Sequence, residues 1–143
     1  MAGKTAIVAG ASGIIGSATA DLLVRQGWTV YGLARRPVAQ QGVQPLAADL
    51  LDADATRAAL AGVQADAVFI TTWLRQDSEA ENIRMNAAMV RNLLSALPAA
   101  DRARHVALVT GLKHYLGPFE AYGQGTLPQT PFREEQGRLV AAT

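Results

Sequence analysis

The sequence predicts an α/β protein built on a doubly wound parallel sheet, and two observations carry that prediction. The apolar, β-branched run Thr5-Ala6-Ile7-Val8-Ala9 leads directly into Gly10-Ala11-Ser12-Gly13-Ile14-Ile15-Gly16, and then into residues with helical spacing. A strand, a glycine turn and a helix therefore follow one another. Beyond them, short apolar runs keep alternating with helical stretches of about a dozen residues, the pattern of parallel strands joined by crossover helices.

Each element has its own signal. The first strand is Thr5–Ala9. In the helix that follows, Ile14, Ala18 and Leu22 recur every fourth residue with Ile15 and Leu23 beside them, which reads as the core stripe. Gly27 is placed as the C-cap of that helix. Thr29–Ala34 is the second strand, and Pro45–Ala48 a short third one ending at Asp49. Asp52 is suited to cap a helix running to about Ala61. Ala67–Thr71 is the fourth strand. A long helix over Glu79–Leu97, ended by Pro98, turns Ile83, Met89, Val90, Leu93, Leu94 and Leu97 inward, and His105–Thr110 is the fifth strand. From Gly111 onward Gly117-Pro118, Gly123, Gly125, Pro128 and Pro131 interrupt every regular pattern. The expectation is a Rossmann-like doubly wound sheet, truncated after about five strands. It comprises a nucleotide-binding domain over 1–110 and a Gly/Pro-rich loop segment over 111–143.

Composition narrows the function classes. With 143 residues, 50% of them apolar and 17% charged, the chain has the make-up of one globular domain. A net charge of +1 argues against a nucleic-acid or membrane partner. The absence of cysteine removes disulfides, thiolate metal sites and thiol catalysis, and with only His105 and His114 a histidine-rich metal site is not expected. Met1-Ala2-Gly3-Lys4 passes straight into the first strand, so the expectation is a cytoplasmic protein without a signal peptide.

The glycine motif carries the chemistry. Gly10 permits the sharp turn, Gly13 lets backbone amides approach a pyrophosphate, and Gly16 lets the helix pack close to the sheet. Gly10, Ser12, Gly13, Ile14, Ile15 and Gly16 are the candidates for that cradle, at a helix N-terminus that carries partial positive charge. The second strand ends in Ala34-Arg35-Arg36-Pro37, about twenty residues further on, where this fold meets the adenine ribose. An acidic residue there favours a free 2′-hydroxyl, whereas a planar guanidinium grips a 2′-phosphate and stacks on adenine, so NADPH is expected over NADH. The competing reading is a solvated turn. Asp49 and Leu50 are placed for the adenine, with a turn or cap role for Asp49 left open. Thr71 and Thr72, at the end of a central strand, either reach a ribose or only finish the strand. Trp73 either lines the cavity or packs in the core.

Further along come Val68-Phe69-Ile70-Thr71-Thr72-Trp73, then Glu81-Asn82, Asn86, Met89, Asn92 and Leu94, and then Thr110-Gly111-Leu112-Lys113-His114-Tyr115. With the glycine and Ala-Arg-Arg-Pro blocks, this series resembles the progesterone 5β-reductase/iridoid synthase-like family of atypical short-chain dehydrogenase/reductases. The resemblance covers residues 4 to 138. It implies NADPH-dependent 1,4-reduction of a C=C bond conjugated to a carbonyl in a small enone substrate, and a homodimer. It also implies a role for Lys113 in holding the nicotinamide ribose and lowering the pKa of a tyrosine that stabilises the enolate, with Thr110 and Gly111 at the cofactor. Asn86 matches a helix asparagine that holds the active-site strand. His114, Tyr115 and Tyr122 are read as packing residues.

Family members are normally much longer, and their tyrosine, counted from Lys113, falls beyond Thr143. The chain is therefore expected to lack that tyrosine, the later strands and the substrate lid, and to be inactive alone, either as a piece of a full reductase or as a short NADP(H)-binding module. A sugar-nucleotide epimerase or dehydratase is the other enzymatic alternative, but no Tyr-x-x-x-Lys spacing occurs. An exposed sheet edge in such a chain favours self-association. Size-exclusion chromatography should then show species larger than a monomer; a monodisperse monomer would count against this expectation.

Overall fold

The run Thr5–Ala9 is a strand covered on both faces: in the computed structural model Ala6, Ile7, Val8 and Ala9 are all fully buried. Residues 3–98, 105–111 and 131–135 are described. Their elements, in chain order, are β1 (Thr5–Ala9), α1 (Ile14–Arg25), β2 (Thr29–Ala34), β3 (Val43–Ala47), α2 (Ala53–Leu60), β4 (Ala67–Ile70), α3 (Glu79–Ala96) and β5 (His105–Leu108). The strands form one five-stranded sheet in the order β3-β2-β1-β4-β5, with every neighbouring pair parallel. This is the doubly wound, Rossmann-like arrangement expected from the sequence.

The two-residue period of the strands divides the core between the faces. Ala6, Val8 and Val30 pack with Ala20 and Leu23 of α1. Ile7, Ala9, Leu33, Val68 and Ile70 pack with Leu60 of α2 and with Met89 and Leu93 of α3. The chain leaves β1 toward β2 and β3, then returns to the other side of β1 for β4 and β5. Loops after β1 and β4 therefore part in opposite directions and open a crevice at the carboxyl edge of the sheet.

Local chemistry sets the element ends. α1 stops at a Schellman turn: Gly27, at φ +82°, donates to the Val24 carbonyl and Trp28 to that of Leu23, at 3.0 Å each. Asp52 caps α2, its carboxylate accepting from the amides of Asp54 and Ala55. Asp66 accepts from the Thr5 amide at 2.8 Å, which ties the start of β1 to the β4 side.

Of the expected stripe on α1, Leu23 is buried as expected, but the rest lies on the outward face. Ile14 is 92% exposed and Leu22 50%, Ile15 and Ala18 also face outward, and the buried residues are Gly16, Ala20 and Leu23. Gly16 must lie on the glycine turn, and at about 100° per residue Ile14 and Ala18 are then carried to the opposite side of the helix. On α3, Met89 and Leu93 are buried and Val90 and Leu97 lie against the core, but Ile83 (64% exposed) and Leu94 face outward. Trp73 is exposed and is not a core residue. Strand bounds shift slightly. β3 begins at Val43, which pairs with Val30, and carries Pro45 on the edge of the sheet, where a missing N–H is tolerated; β4 ends at Ile70 and β5 at Leu108.

The chain divides into two compact units, Met1–Leu108 and Val109–Thr143. In the first, β5 is exposed along its length. Among the described residues no helix is long and apolar enough to cross a membrane.

The phase of α1 is open to direct test in urea denaturation. Leu23→Ala should cost about 2–5 kcal/mol of stability, whereas Ile14→Ala should stay within about 0.5 kcal/mol. Equal losses would return Ile14 to the core.

Candidate functional site

The site begins with the turn after β1. Gly10 adopts φ +84°, and its amide donates to the Leu33 carbonyl at 2.8 Å, tying the turn to the end of β2. The Gly13 amide donates back to the Gly10 carbonyl at 3.0 Å. A Cβ at position 16 would run into that same carbonyl and lie 2.8 Å from the Thr71 hydroxyl oxygen, so α1 can rest on the turn only with glycine there. Gly13 is the N-cap of α1, with no side-chain cap and no acidic residue in the first turn. The amides of Ile14, Ile15 and Gly16 have no acceptor within the helix, and nothing anionic in the first turn competes for its positive end.

Beside this turn lies a cleft of about 300 Å³. Gly10, Ser12 and Gly13 line it from the glycine turn, Leu33, Ala34 and Arg35 from the end of β2, and Ala48, Asp49 and Leu50 from beyond β3. Thr71, Thr72, Trp73 and Leu74 close it from the loop after β4, and Met89 of α3 also lines it. Most of the residues singled out in the sequence thus come together at one place. Four do so differently. Ile14, Ile15 and Gly16 contribute backbone at the helix end rather than cleft lining, and Arg36 is exposed outside it. Thr110 and Gly111 belong to the second unit, and Lys113, His114, Tyr115 and Tyr122 lie outside the described residues.

Side chains of α3 hold the cleft walls. Asn86 accepts from the Leu74 amide at 2.9 Å and donates to the Leu74 carbonyl at 2.8 Å. One turn earlier, Asn82 accepts from the amide of Gln76. On the far side Asn92 donates to the Leu50 carbonyl at 2.8 Å. The buried Thr56 hydroxyl donates to the carbonyls of Asp52 and Asp49, and the Asp49 carboxylate accepts from the Leu51 amide at 3.0 Å. Asparagine is a poor residue for a helix interior, so Asn82, Asn86 and Asn92 on one helix are a sequence signal for such duty. Leu33, Ala48 and Leu74 have no comparable signal and join the lining through topology alone.

The adjacent threonines differ. Thr71 donates its hydroxyl to the Ala9 carbonyl at 2.7 Å, and its amide reaches the same oxygen, so it fastens β4 to β1. The Thr72 hydroxyl is buried at the cleft without a hydrogen-bond partner among the described residues. Neither Arg35 nor Arg36 has an ion pair among the described residues. The shifted titrations found there belong to an exposed pair outside the cleft lining: hydrogen bonding to Arg84 lowers the Glu81 carboxyl and raises the guanidinium in return. No group of His, Cys, Asp or Glu side chains among the described residues is arranged to hold a metal.

Among the described residues, a glycine cradle that a Cβ would fill, a bare helix end, an unpaired guanidinium and an orphaned hydroxyl fit a dianionic, extended nucleotide better than a compact apolar ligand. The comparisons with known proteins agree. The chain is 39% identical to a 3-oxo-Delta(4,5)-steroid 5-beta-reductase of Arabidopsis thaliana, an alignment taking in 95% of this chain and 38% of the relative. It is 37% identical to the (S)-8-oxocitronellyl enol synthase CYC2 of Camptotheca acuminata, over 96% of this chain and 38% of that protein. It thus spans well under half the length of these curated relatives. Among solved structures, the Bordetella bronchiseptica enzyme WbmH in complex with NAD+ shares the fold, with a TM-score of 0.70 at 22% identity over 96% of this chain and 46% of that one. A short-chain dehydrogenase/reductase superfamily protein of Agrobacterium tumefaciens with bound NAD aligns with a TM-score of 0.63 at 26% identity, over 78% of this chain and 34% of that one. With residues 6–137 matching its model, this chain belongs to the NAD dependent epimerase/dehydratase family.

Proposed function

We propose that the cleft binds NADP(H), and that the chain supplies the cofactor-binding part of a reductase acting on a C=C bond conjugated to a carbonyl. The observation that carries this reading is the position of Arg35, which faces the same cleft as the glycine cradle and stands at the end of β2 without an acidic partner among the described residues. In the proposed arrangement the amides of Gly13, Ile14, Ile15 and Gly16, with Ser12, hold the pyrophosphate. Ala34, Arg35 and Arg36 hold the adenine ribose and its 2′-phosphate, and Asp49 and Leu50 flank the adenine. Thr72, with Thr71 and Trp73 beside it, serves the nicotinamide end, where its hydroxyl, without a partner among the described residues, has a ribose or carboxamide group to meet. Thr110, Gly111 and Lys113 complete that end by resemblance. The bound cofactor supplies a hydride equivalent. By resemblance, Lys113 would supply a positive charge that holds a ribose hydroxyl and lowers the pKa of a tyrosine that the sequence up to Thr143 does not carry, favouring charge on an enolate oxygen.

The substrate class rests on the relatives. One reduces a 3-oxo-Delta(4,5)-steroid and another is named for an enol product, so both names describe chemistry at a carbonyl conjugated or convertible to an enol. A small-molecule enone is accordingly the proposed substrate, and a homodimer the proposed assembly.

Fluorescence titration with NADPH and NADH tests the cofactor reading. NADPH should bind more tightly, and Arg35→Ala should weaken it by roughly ten- to a hundredfold, the range for a hydrogen bond to a charged group, while NADH changes less than about threefold. Equal affinities, or an Arg35→Ala variant that treats both nucleotides alike, would overturn the NADPH assignment. Turnover is a separate readout: NADPH oxidation across an enone panel that Lys113→Ala abolishes supports the reductase. Tight NADPH binding without oxidation of any enone would instead make this chain a non-catalytic NADP(H)-binding module.

A further inference from the structure

Between β2 and β3 the chain runs Arg35-Arg36-Pro37-Val38-Ala39-Gln40-Gln41-Gly42 without regular structure, and it carries both guanidinium groups. Neither arginine side chain makes a hydrogen bond or ion pair among the described residues. Free guanidinium groups on a free loop bind an anion weakly, because ordering the backbone costs about 1–2 kcal/mol for each residue fixed. Here the loop is anchored in advance. The Gln40 side-chain amide donates to the Ser17 carbonyl in α1 at 2.8 Å, across 23 residues of sequence. The Gln40 carbonyl in turn accepts from the Val43 amide at 3.1 Å, closing the turn into β3. Anchored so, the loop folds back on the glycine turn: Pro37, Val38 and Gln40 face Ala11 and Ser12 across a cavity of about 10 Å³, room for roughly one water. Ser12 and Ala34 line both this cavity and the large cleft, so the anchor stands beside the nucleotide end of the site.

We propose that Gln40 is a specificity-positioning residue. By tying the arginine loop to α1, the helix whose N-terminus forms the cradle, it fixes the guanidinium groups relative to the pyrophosphate position and so sets discrimination for a 2′-phosphate. The inference rests on the NADP(H) reading above. Gln40 itself touches no reacting atom. Its partner, the Ser17 carbonyl, also lies within α1 and can accept an intrahelical bond, so removing the side chain strands no buried group.

The test is the ratio of NADPH to NADH affinity in Gln40→Ala and Gln40→Leu, measured by fluorescence titration with a urea midpoint for each variant. NADPH should weaken by roughly three- to tenfold, the worth of one hydrogen bond, and NADH by less than about twofold. Leu should behave as Ala does, since it restores bulk but not the donor. An unchanged ratio in both variants, or equal weakening of both nucleotides, overturns the proposal, as does rescue by Leu, which would assign the effect to packing. These results are distinguishable from failure of the underlying reading. Wild-type protein that binds neither nucleotide, or prefers NADH, sinks both; wild-type protein that prefers NADPH while the Gln40 variants keep its ratio sinks this proposal alone.

Discussion

The contact on which the rest of the site depends is the seating of α1 on the glycine turn. Gly16 has no side chain, and a Cβ there would strike the Gly10 carbonyl. That one contact fixes where the helix starts, how far it stands from β1, and which of its faces turns inward. Because Gly16 faces the turn, Ala20 and Leu23 follow it into the core and Ile14 is left outside. Because the helix starts there, its unpaired first-turn amides stand beside the crevice where β1 and β4 part. Packing on one side of the sheet and anion chemistry at its edge are therefore two results of a single steric condition.

The walls of the cleft are held by α3 in a similar economy of means. Asn86 takes both backbone groups of Leu74, Asn82 takes the Gln76 amide, and Asn92 takes the Leu50 carbonyl. The buried Met89 and Leu93 seat the same helix on the sheet. One rigid element thus references the loop after β4 and the loop after β3 to each other, through bonds to backbone rather than to the lining side chains. Apart from Thr71 and Asp49, which already hold backbone groups of their own surroundings, the lining side chains are left to a ligand, and the walls need little ordering when one arrives. Thr56, buried and donating to Asp49 and Asp52, adds the same kind of restraint from α2.

Much of this was legible in the sequence because its signals were local. The β-branched run before Gly10, the glycine spacing, Gly27 as a helix stop and Asp52 as a cap each depend on a few neighbouring residues, and the fold realises each of them. The phase of α1 was not legible from hydrophobicity. Ile14, Ala18 and Leu22 make a better apolar stripe than Gly16, Ala20 and Leu23, but a steric demand of the turn outranks the greater burial that isoleucine and leucine offer. Ile83 and Leu94 on α3 mislead in the same way, since there the inward faces are set by Met89, Leu93 and the asparagine bonds. Arg35 and Arg36 are indistinguishable as letters; only the path of the loop puts the first in the cleft and leaves the second outside it. Gln40 is less legible still, because its partner is a main-chain carbonyl that no side-chain pattern announces.

Charge placement supplies the last step. The cleft offers positive potential in two separate places, the helix end beside Gly13 and the guanidinium of Arg35, and these match the two anionic groups of the proposed ligand, its pyrophosphate and its 2′-phosphate. Asp49 is the acidic side chain of the cleft lining, and it stands beyond β3 rather than at the end of β2. One of its oxygens already accepts from the Leu51 amide. An acid at the end of β2 would repel a 2′-phosphate; one a strand further out, partly satisfied by its own backbone, is free to face an uncharged adenine edge instead. In the proposed reading, the choice between the two nicotinamide cofactors follows from which strand carries the acid and which carries the arginine.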